Sequence, residues 1–163
     1  MNALSVFAIL VLSATMAAAS PGRGECQIAD PMELVAVGGG GATFVSLRTI
    51  ERRGSIIDVW ETVVPRARIG SVEYTVQLLR YDCIARTYLV QEQHDYNVLG
   101  VVVTSYRSSG LHRLIPGSVG ERASVRVCNY SNSPMEGRRI VVGNIQAVSI
   151  GRNVLSGQLS ERF

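Results

Sequence analysis

The sequence predicts an α+β fold: an antiparallel β-sheet with one helix on its C-terminal side, packed on one face and tied to the sheet by a disulfide. Three observations predict it. Short β-prone segments follow one another from Glu33 onward, a helix-start signal occurs at Ser118, and two cysteines stand at Cys83 and Cys128. With 163 residues and 47% hydrophobic composition, the chain has room for one folded domain and does not belong to the disordered class.

The N-terminal segment has the layout of a secretory signal peptide. Residues 1–19 carry no charge, contain an apolar run from Ala3 to Leu12, and end in small residues with an A-x-A site at 17–19. That run is shorter than a membrane span of about 20 residues. A buried N-terminal helix is the alternative. We therefore expect an exported protein, periplasmic or at the cell surface, with residues 20–31 as a linker and no transmembrane segment in the mature chain.

The charge pattern gives little indication of a charged partner. All sixteen basic residues are arginines spread along the chain, and the net charge is +3. A binding patch for nucleic acid would cluster these charges. We therefore expect no nucleic-acid partner, and we expect the aromatic residues to pack in the core and on the sheet. They are Trp60, Tyr74, Tyr81, Tyr88, Tyr96 and Tyr106.

The first half of the chain predicts three strands and a glycine turn. "ELVAV" (33–37) and "ATFVSL" (42–47) flank four glycines, residues 38–41. The glycines lack the Lys-Ser/Thr ending of a phosphate-binding loop, so a hairpin connection is expected. "SIIDVWETVV" (55–64) alternates apolar and polar residues in the manner of a half-buried strand, and Pro65 ends it.

A long β-prone segment, 73–93, follows the polar connection "RARIGS". Strand alternation through it would place Cys83 on one face with Ala85, Thr87 and Leu89. "HDYN" (94–97) predicts a turn, and "VLGVVVTSY" predicts the returning strand.

The next segment carries a helix-start signal. Pro116 precedes Ser118, and Glu121 follows the serine by three residues, which is a capping box. The alternative is a strand, because Val125 and Val127 alternate with polar residues. The apolar stripe of the predicted helix comprises Val119, Ala123 and Val127, and its wetter face carries Arg122 and Arg126.

The tail, residues 131–163, is predicted as a C-terminal extension. Gly143-Asn144 stands between two β-prone runs, which predicts a two-residue hairpin turn. The last residues, 156–163, are expected to be a flexible end.

The cysteines are Cys26, Cys83 and Cys128, and no two of them form a C-x-x-C pair, so a zinc or thioredoxin-type motif has no support. In an oxidising compartment a separated pair is usually a disulfide. With Cys83 on a strand and Cys128 near the helix end, a disulfide would fasten helix to sheet and stabilise the fold by ~4 kcal/mol. A catalytic Cys83 would need His94 or His112 beside it. Cys26 is left either free or paired between chains.

Other reaction chemistry has little support in the sequence. His94 with Glu92 and Asp95 would make a metal or acid–base cluster, but three polar residues at a strand end are typical of a solvated turn. A G-x-S-x-G nucleophile motif is absent. We therefore expect no catalytic, metal-binding or cofactor-binding residues and no cofactor.

Three motifs, "IERRGSIIDVW", "YDCIARTY" and "LIPGSVGERASVRVC", resemble the surface-adhesin protein E-like domain of bacterial exported proteins. The resemblance covers residues 32–130. It implies an antiparallel sheet with a helix docked on one face through a disulfide, and the family's namesake binds host extracellular-matrix proteins. We therefore expect an exported, non-enzymatic envelope or surface binding module with an adhesin-like protein or envelope partner. The alternative is an extracytoplasmic hydrolase of unknown substrate.

Overall fold

The computed structural model describes residues 30–107, 110–130 and 140–158. Within them the chain forms one nine-stranded antiparallel sheet and two helices, so the predicted α+β class is confirmed. The strand order is β7-β6-β5-β4-β2-β1-β9, with β3 paired to β4 and β8 to β6. The elements are β1 Pro31–Gly38, β2 Gly41–Ser46, β3 Glu51–Arg53, β4 Ile56–Pro65, β5 Tyr74–Asp82, β6 Thr87–Tyr96, β7 Val102–Tyr106, β8 Leu111–Arg113, α1 Val119–Cys128, β9 Ile140–Val142 and α2 Gly143–Leu155.

The two helices lie on opposite faces of the sheet. Val127 of α1 packs in a cluster with Val45, which we use to define the α1 face. Ala147 and Val154 of α2 pack with Phe44, which defines the α2 face. Successive residues of a strand point to opposite faces, so β2, lying between both helices, buries all six of its residues.

Burial decreases from one side of the sheet to the other. We call β1, β2 and β4 the covered half, because both helices contact β1 and β2 and α2 also contacts β4. We call β6, β7 and β8 the open half. Every residue of β6 is half-buried, and every residue of β7 and β8 is exposed. The core is therefore concentrated under the helices.

Helix α1 begins where the capping box predicted. The Ser118 hydroxyl accepts a hydrogen bond from the Glu121 backbone N–H at 3.0 Å, which satisfies an otherwise unpaired donor. The strand alternative is wrong. The face predicted to be wetter keeps Arg122 exposed, and it also contacts β1, because Arg126 forms a bidentate pair with buried Glu33 at 2.8 and 3.0 Å. Arg122 donates to the backbone carbonyl of β1 residue 37 at 2.6 Å.

The disulfide between Cys83 and Cys128 is confirmed, with the two Cα atoms 5.7 Å apart. The prediction that Cys83 lies within a strand is wrong. Strand β5 ends at Asp82, whose carboxylate accepts the backbone N–H groups of residues 84 and 85 at 3.0 Å, and residues 83–86 form a turn. Arg86 completes the turn with a φ of 54°. The face alternation predicted across 83–90 therefore fails, because the chain reverses there.

The four glycines form the predicted hairpin connection between β1 and β2. Gly38 pairs with Gly41, and residues 39 and 40 make the turn. Gly41 has a φ of 153°, and a β-carbon on it would lie 2.3 Å from the Val64 carbonyl oxygen. Strand β4 therefore approaches β2 too closely there for any side chain.

The predicted C-terminal hairpin is wrong. Strand β9 pairs with β1, and α2 begins at Gly143, where a hairpin turn was expected. The Asn144 side chain accepts a hydrogen bond from the Thr62 hydroxyl at 2.6 Å, which fixes the start of the helix against β4. The buried residues of α2 recur at helical intervals, at positions 147, 151 and 154.

The turn predicted at 94–97 lies further along the chain. Residues 94–96 continue β6, and Asn97 begins the turn by accepting two backbone N–H groups on its side chain. The signal segment 1–19, Cys26 and the end segment 159–163 lie outside the described residues. Among the described residues, neither helix has the length and hydropathy that crossing a membrane requires.

Candidate functional site

A cavity of about 230 Å³ lies between the N-terminal half of α1 and the α1 face of the sheet. We call it the helix cavity. Small residues on both sides leave the space open, since α1 contributes Gly120 and Ala123 and the β1–β2 hairpin contributes Gly40 and Gly41. Its other lining residues are Thr43, Glu61, Val63, Gln77, Leu79, Tyr81, Tyr88 and Val119.

Glu61 is the acidic residue of the helix cavity. In β4 it shares the inward parity of Ile57 and Val59, so strand alternation carries its side chain under α1. It is only 2% exposed. The Tyr81 hydroxyl donates to the carboxylate at 2.7 Å, and the Gln77 side chain supplies a further hydrogen bond. Within the described residues, Glu61 forms no ion pair with an arginine or histidine.

Burial shifts the pKa values of both Glu61 and Tyr81. It raises the pKa of Glu61 from 4.5 to about 7, and the hydrogen bonds from Tyr81 and Gln77 only partly oppose the rise. Burial, together with the adjacent Glu61 carboxylate, raises the pKa of Tyr81 well above its usual 10. Tyr81 thus stays a hydrogen-bond donor, while Glu61 exchanges between its neutral and charged forms near neutral pH.

A second depression, which we call the outer cleft, adjoins the helix cavity. The two share Gly40, Tyr88, Val119 and Gly120 as lining residues. The outer cleft also carries two cations, Arg113 of β8 and Arg122 of α1. The site therefore combines a positive opening with a negative or neutral interior.

The open half presents a second candidate site along β7. Exposure runs from 39% at Val103 to 56% at Val101, and Tyr106 is 46% exposed. The chain carries no charge and no proline from Tyr96 to Tyr106. Edge strands in natural sheets are usually protected by charges, prolines or covering segments. We call residues 101–106 the β7 edge; it has no protective charge or proline.

A small, mainly apolar depression, whose lining also includes Glu73, lies near the start of the β7 edge. Its volume is about 190 Å³, and it lies between the β6–β7 turn and α2. The turn contributes Val98 and Leu99, and α2 contributes Ile145 and Val148. We call it the turn pocket. Three of these four side chains, at 98, 99 and 145, are largely exposed, so the turn pocket and the β7 edge together present apolar surface.

The His94 cluster predicted from sequence is only partly assembled. The imidazole contacts Glu92 through Nε2 and Ser105 through Nδ1, each at 2.7 Å. Asp95 points elsewhere, accepting hydrogen bonds from Thr75 and Gln93 on the α1 face. The described residues contain no group of three or more His, Cys, Asp or Glu able to hold a metal ion.

The remaining sequence predictions have clear structural outcomes. Cys83 and Cys128 are bonded to each other, so neither is a free nucleophile. Arg86, in the turn that follows β5, forms an ion pair with Glu121 of α1. Glu61 was not among the site residues predicted from the sequence. Its signal was present, because it occupies an inward position of a strand whose other inward residues are apolar.

Comparison of this chain with protein-family models, with curated proteins and with solved structures finds no match. The similarity of residues 32–130 to the adhesin family therefore remains a prediction.

Proposed function

We propose that this protein is an exported, non-enzymatic binding module that adds an extended apolar segment of a protein partner to its sheet as a further strand. The observation that carries the proposal is the β7 edge, an exposed edge strand without charge or proline. Its outward backbone groups offer a ladder of hydrogen bonds to a further strand.

The surroundings of the β7 edge favour a peptide segment over a flat protein surface. In strand addition the main chain supplies affinity, and pockets for individual side chains supply specificity. The turn pocket provides such a depression near the start of β7, with Leu99 and Ile145 at its exposed rim. An apolar anchor residue of the partner would fill it.

Export is supported by two independent features. Residues 1–19 have the composition of a signal peptide. The Cys83–Cys128 disulfide is a bond that persists in oxidising compartments and is rare in the cytosol.

An extracytoplasmic hydrolase is the second candidate, favoured by the chain of hydrogen bonds from Glu92 through His94 to Ser105. Its residues lie on adjacent strands of an open sheet, not on the strand-to-helix turn that exposes a hydrolase nucleophile. A panel of ester and amide substrates tests it. Turnover that disappears in Ser105→Ala and His94→Gln would establish the hydrolase.

The binding proposal is tested with three forms of the oxidised mature chain, used to retain proteins from an envelope extract. The edge variant Val101→Lys/Val103→Lys places two charges on the β7 edge. The control variant Val125→Lys changes a valine of α1 with a similar exposure, 53%. We expect the wild type and the control to retain the same partner and the edge variant to lose it.

Hydrogen exchange then locates the contact. A segment from the retained partner should slow exchange of the backbone amides of residues 102–106 and leave the α1 amides unchanged. The proposal is wrong if all three forms retain the same proteins, or if the protected amides lie away from β7. If the chain retains only further copies of itself, and light scattering shows a dimer, the β7 edge mediates self-association and does not bind a foreign partner.

A further inference from the structure

We propose that the helix cavity is a binding site for a small molecule that carries an amine on a compact apolar body. The site is separate from the β7 edge: it lies on the α1 face, whereas the turn pocket beside that edge lies against α2. The inference does not depend on the proposed function.

The size of the cavity sets the size of the ligand. A dry apolar cavity of about 150 Å³ accepts benzene. The helix cavity has about 230 Å³ and is walled by Val63, Leu79, Val119 and the ring of Tyr88. It is smaller than the sites of drug-sized molecules, which occupy about 300 to 1,000 Å³. A single ring or a short branched chain with one polar group is therefore the class that fits.

The buried carboxyl group of the cavity determines which polar group the ligand should carry. Glu61 is buried beside two neutral hydrogen-bond partners, Tyr81 and Gln77, and within the described residues it has no cationic side chain as an ion-pair partner. A buried carboxylate is costly unless an opposite charge accompanies it. A protonated amine in the cavity would provide that charge.

The other charged and titratable groups around Glu61 define its pH response. Tyr81 of β5 and Tyr88 of β6 line the cavity, and the cavity-lining residues of α1 and β2 are uncharged. Arg113 and Arg122 lie further out, in the outer cleft. Since burial raises the pKa of Glu61 to about 7, amine binding should require the loss of a proton from Glu61 below neutral pH.

The experiment uses three probes of one shape: benzylamine, benzyl alcohol and benzoate. Their binding to the oxidised mature chain is followed by calorimetry at pH 6 and pH 8 and by amide chemical shifts. We expect benzylamine to bind at least about tenfold more tightly than either analogue at pH 8. Its affinity should be about tenfold lower at pH 6, because about one Glu61 in ten is ionised there. The shifts should centre on Gly40 and residues 119–123.

Two variants separate recognition from folding. Glu61→Gln keeps an acceptor for the Tyr81 hydroxyl, and it should remove the tenfold preference for benzylamine and its pH dependence while benzyl alcohol binds as before. Gly120→Leu places a side chain at a cavity-lining position where a β-carbon has only Ser118 Oγ nearby, at 3.8 Å. It should abolish binding of all three probes without unfolding the chain.

Three results would overturn the proposal. Benzylamine and benzyl alcohol could bind equally, which would remove the role of the carboxylate. Benzoate could bind best, which would assign recognition to the two arginines of the outer cleft. The probes could leave the amide chemical shifts of the cavity residues unchanged, or they could bind Gly120→Leu as they bind the wild type. Either result would place the binding site elsewhere.

Discussion

The covered half and the open half of the sheet belong to one continuous hydrogen-bonded structure, yet their burial is opposite. In the covered half, β2 lies between α1 and α2 and has no exposed residue. In the open half, β7 has only exposed residues. The two helices of the described residues, 10 and 13 residues long, contact mainly β1, β2 and β4, and β7 stays exposed.

This difference separates stability from binding in the molecule. Apolar burial, which supplies most of the folding free energy, is concentrated around β2 and β4. In the open half, β6 packs Tyr88, Val90 and Tyr96 against the edges of the core, whereas β7 leaves apolar side chains in water. We therefore expect the chain to tolerate substitutions on the surface we propose for binding and to be sensitive to substitutions in the covered half.

The largest expected effect comes from Phe44→Ala in the covered half. Phe44 is fully buried, so its loss should lower the free energy of unfolding by about 4 kcal/mol. Tyr106→Ala in the open half removes a ring that is 46% exposed and should lower it by less than about 1 kcal/mol. Urea unfolding of both variants measures the contrast. Similar losses would show that the two halves contribute equally to the core.

The disulfide gives the next effect, because it connects α1, above the covered half, to the turn that begins β6. The double variant Cys83→Ser/Cys128→Ser opens a crosslink between residues 45 positions apart, and it should lower the free energy of unfolding by up to about 4 kcal/mol. The single variant Cys26→Ser is the control for loss of a cysteine.

Hydrogen exchange shows where the disulfide acts. Without it, amides in the last turn of α1 should exchange faster, while those of α2, held by Thr62 and its own buried residues, should keep their protection. An equal loss of protection in both helices would mean that the crosslink stabilises the whole sheet and does not specifically hold α1.

The smallest of the three effects is the pH dependence due to Glu61. Its pKa is raised on folding, so its contribution to stability is fully present below pH 4.5 and is lost as the pH rises to about 7. Between pH 5 and pH 8 the loss is about 2 kcal/mol. Glu61→Gln should remove that loss in urea unfolding, whereas Glu51→Gln, at an exposed position of β3, should leave it unchanged. An unchanged slope in Glu61→Gln would contradict the raised pKa.

Local sequence signals predicted much of the covered half. They are the alternation in β4, the glycine turn before β2 and the capping box at Ser118. Each signal depends on a few neighbouring residues, and tertiary contacts do not change the structure it predicts. The pairing of Cys83 with Cys128 was predicted from the expected oxidising compartment and is confirmed, although Cys83 lies in the turn after β5 and not in a strand.

The failures came from segments whose local pattern fits two structures. The turn at 83–86 contains no glycine or proline, and the capping by Asp82 was concealed within a β-prone run. The Gly143-Asn144 pair suits a hairpin turn as well as a helix start, and contact with Thr62 selects the helix. The helix cavity could not be predicted, because it is formed by α1 and four strands that are distant in sequence.

The attachments of α1 have a kinetic consequence. Its first half is held by the Arg122 contact with β1, and its last residue is held by the disulfide. We therefore expect a molecule to enter through the outer cleft, which shares four lining residues with the helix cavity, and not by outward motion of α1. Residues 39 and 40 form the exposed tip of the β1–β2 hairpin, where a β-carbon would meet nothing within 4 Å. Because this tip borders the outer cleft, we expect its displacement to change how fast the helix cavity fills and empties.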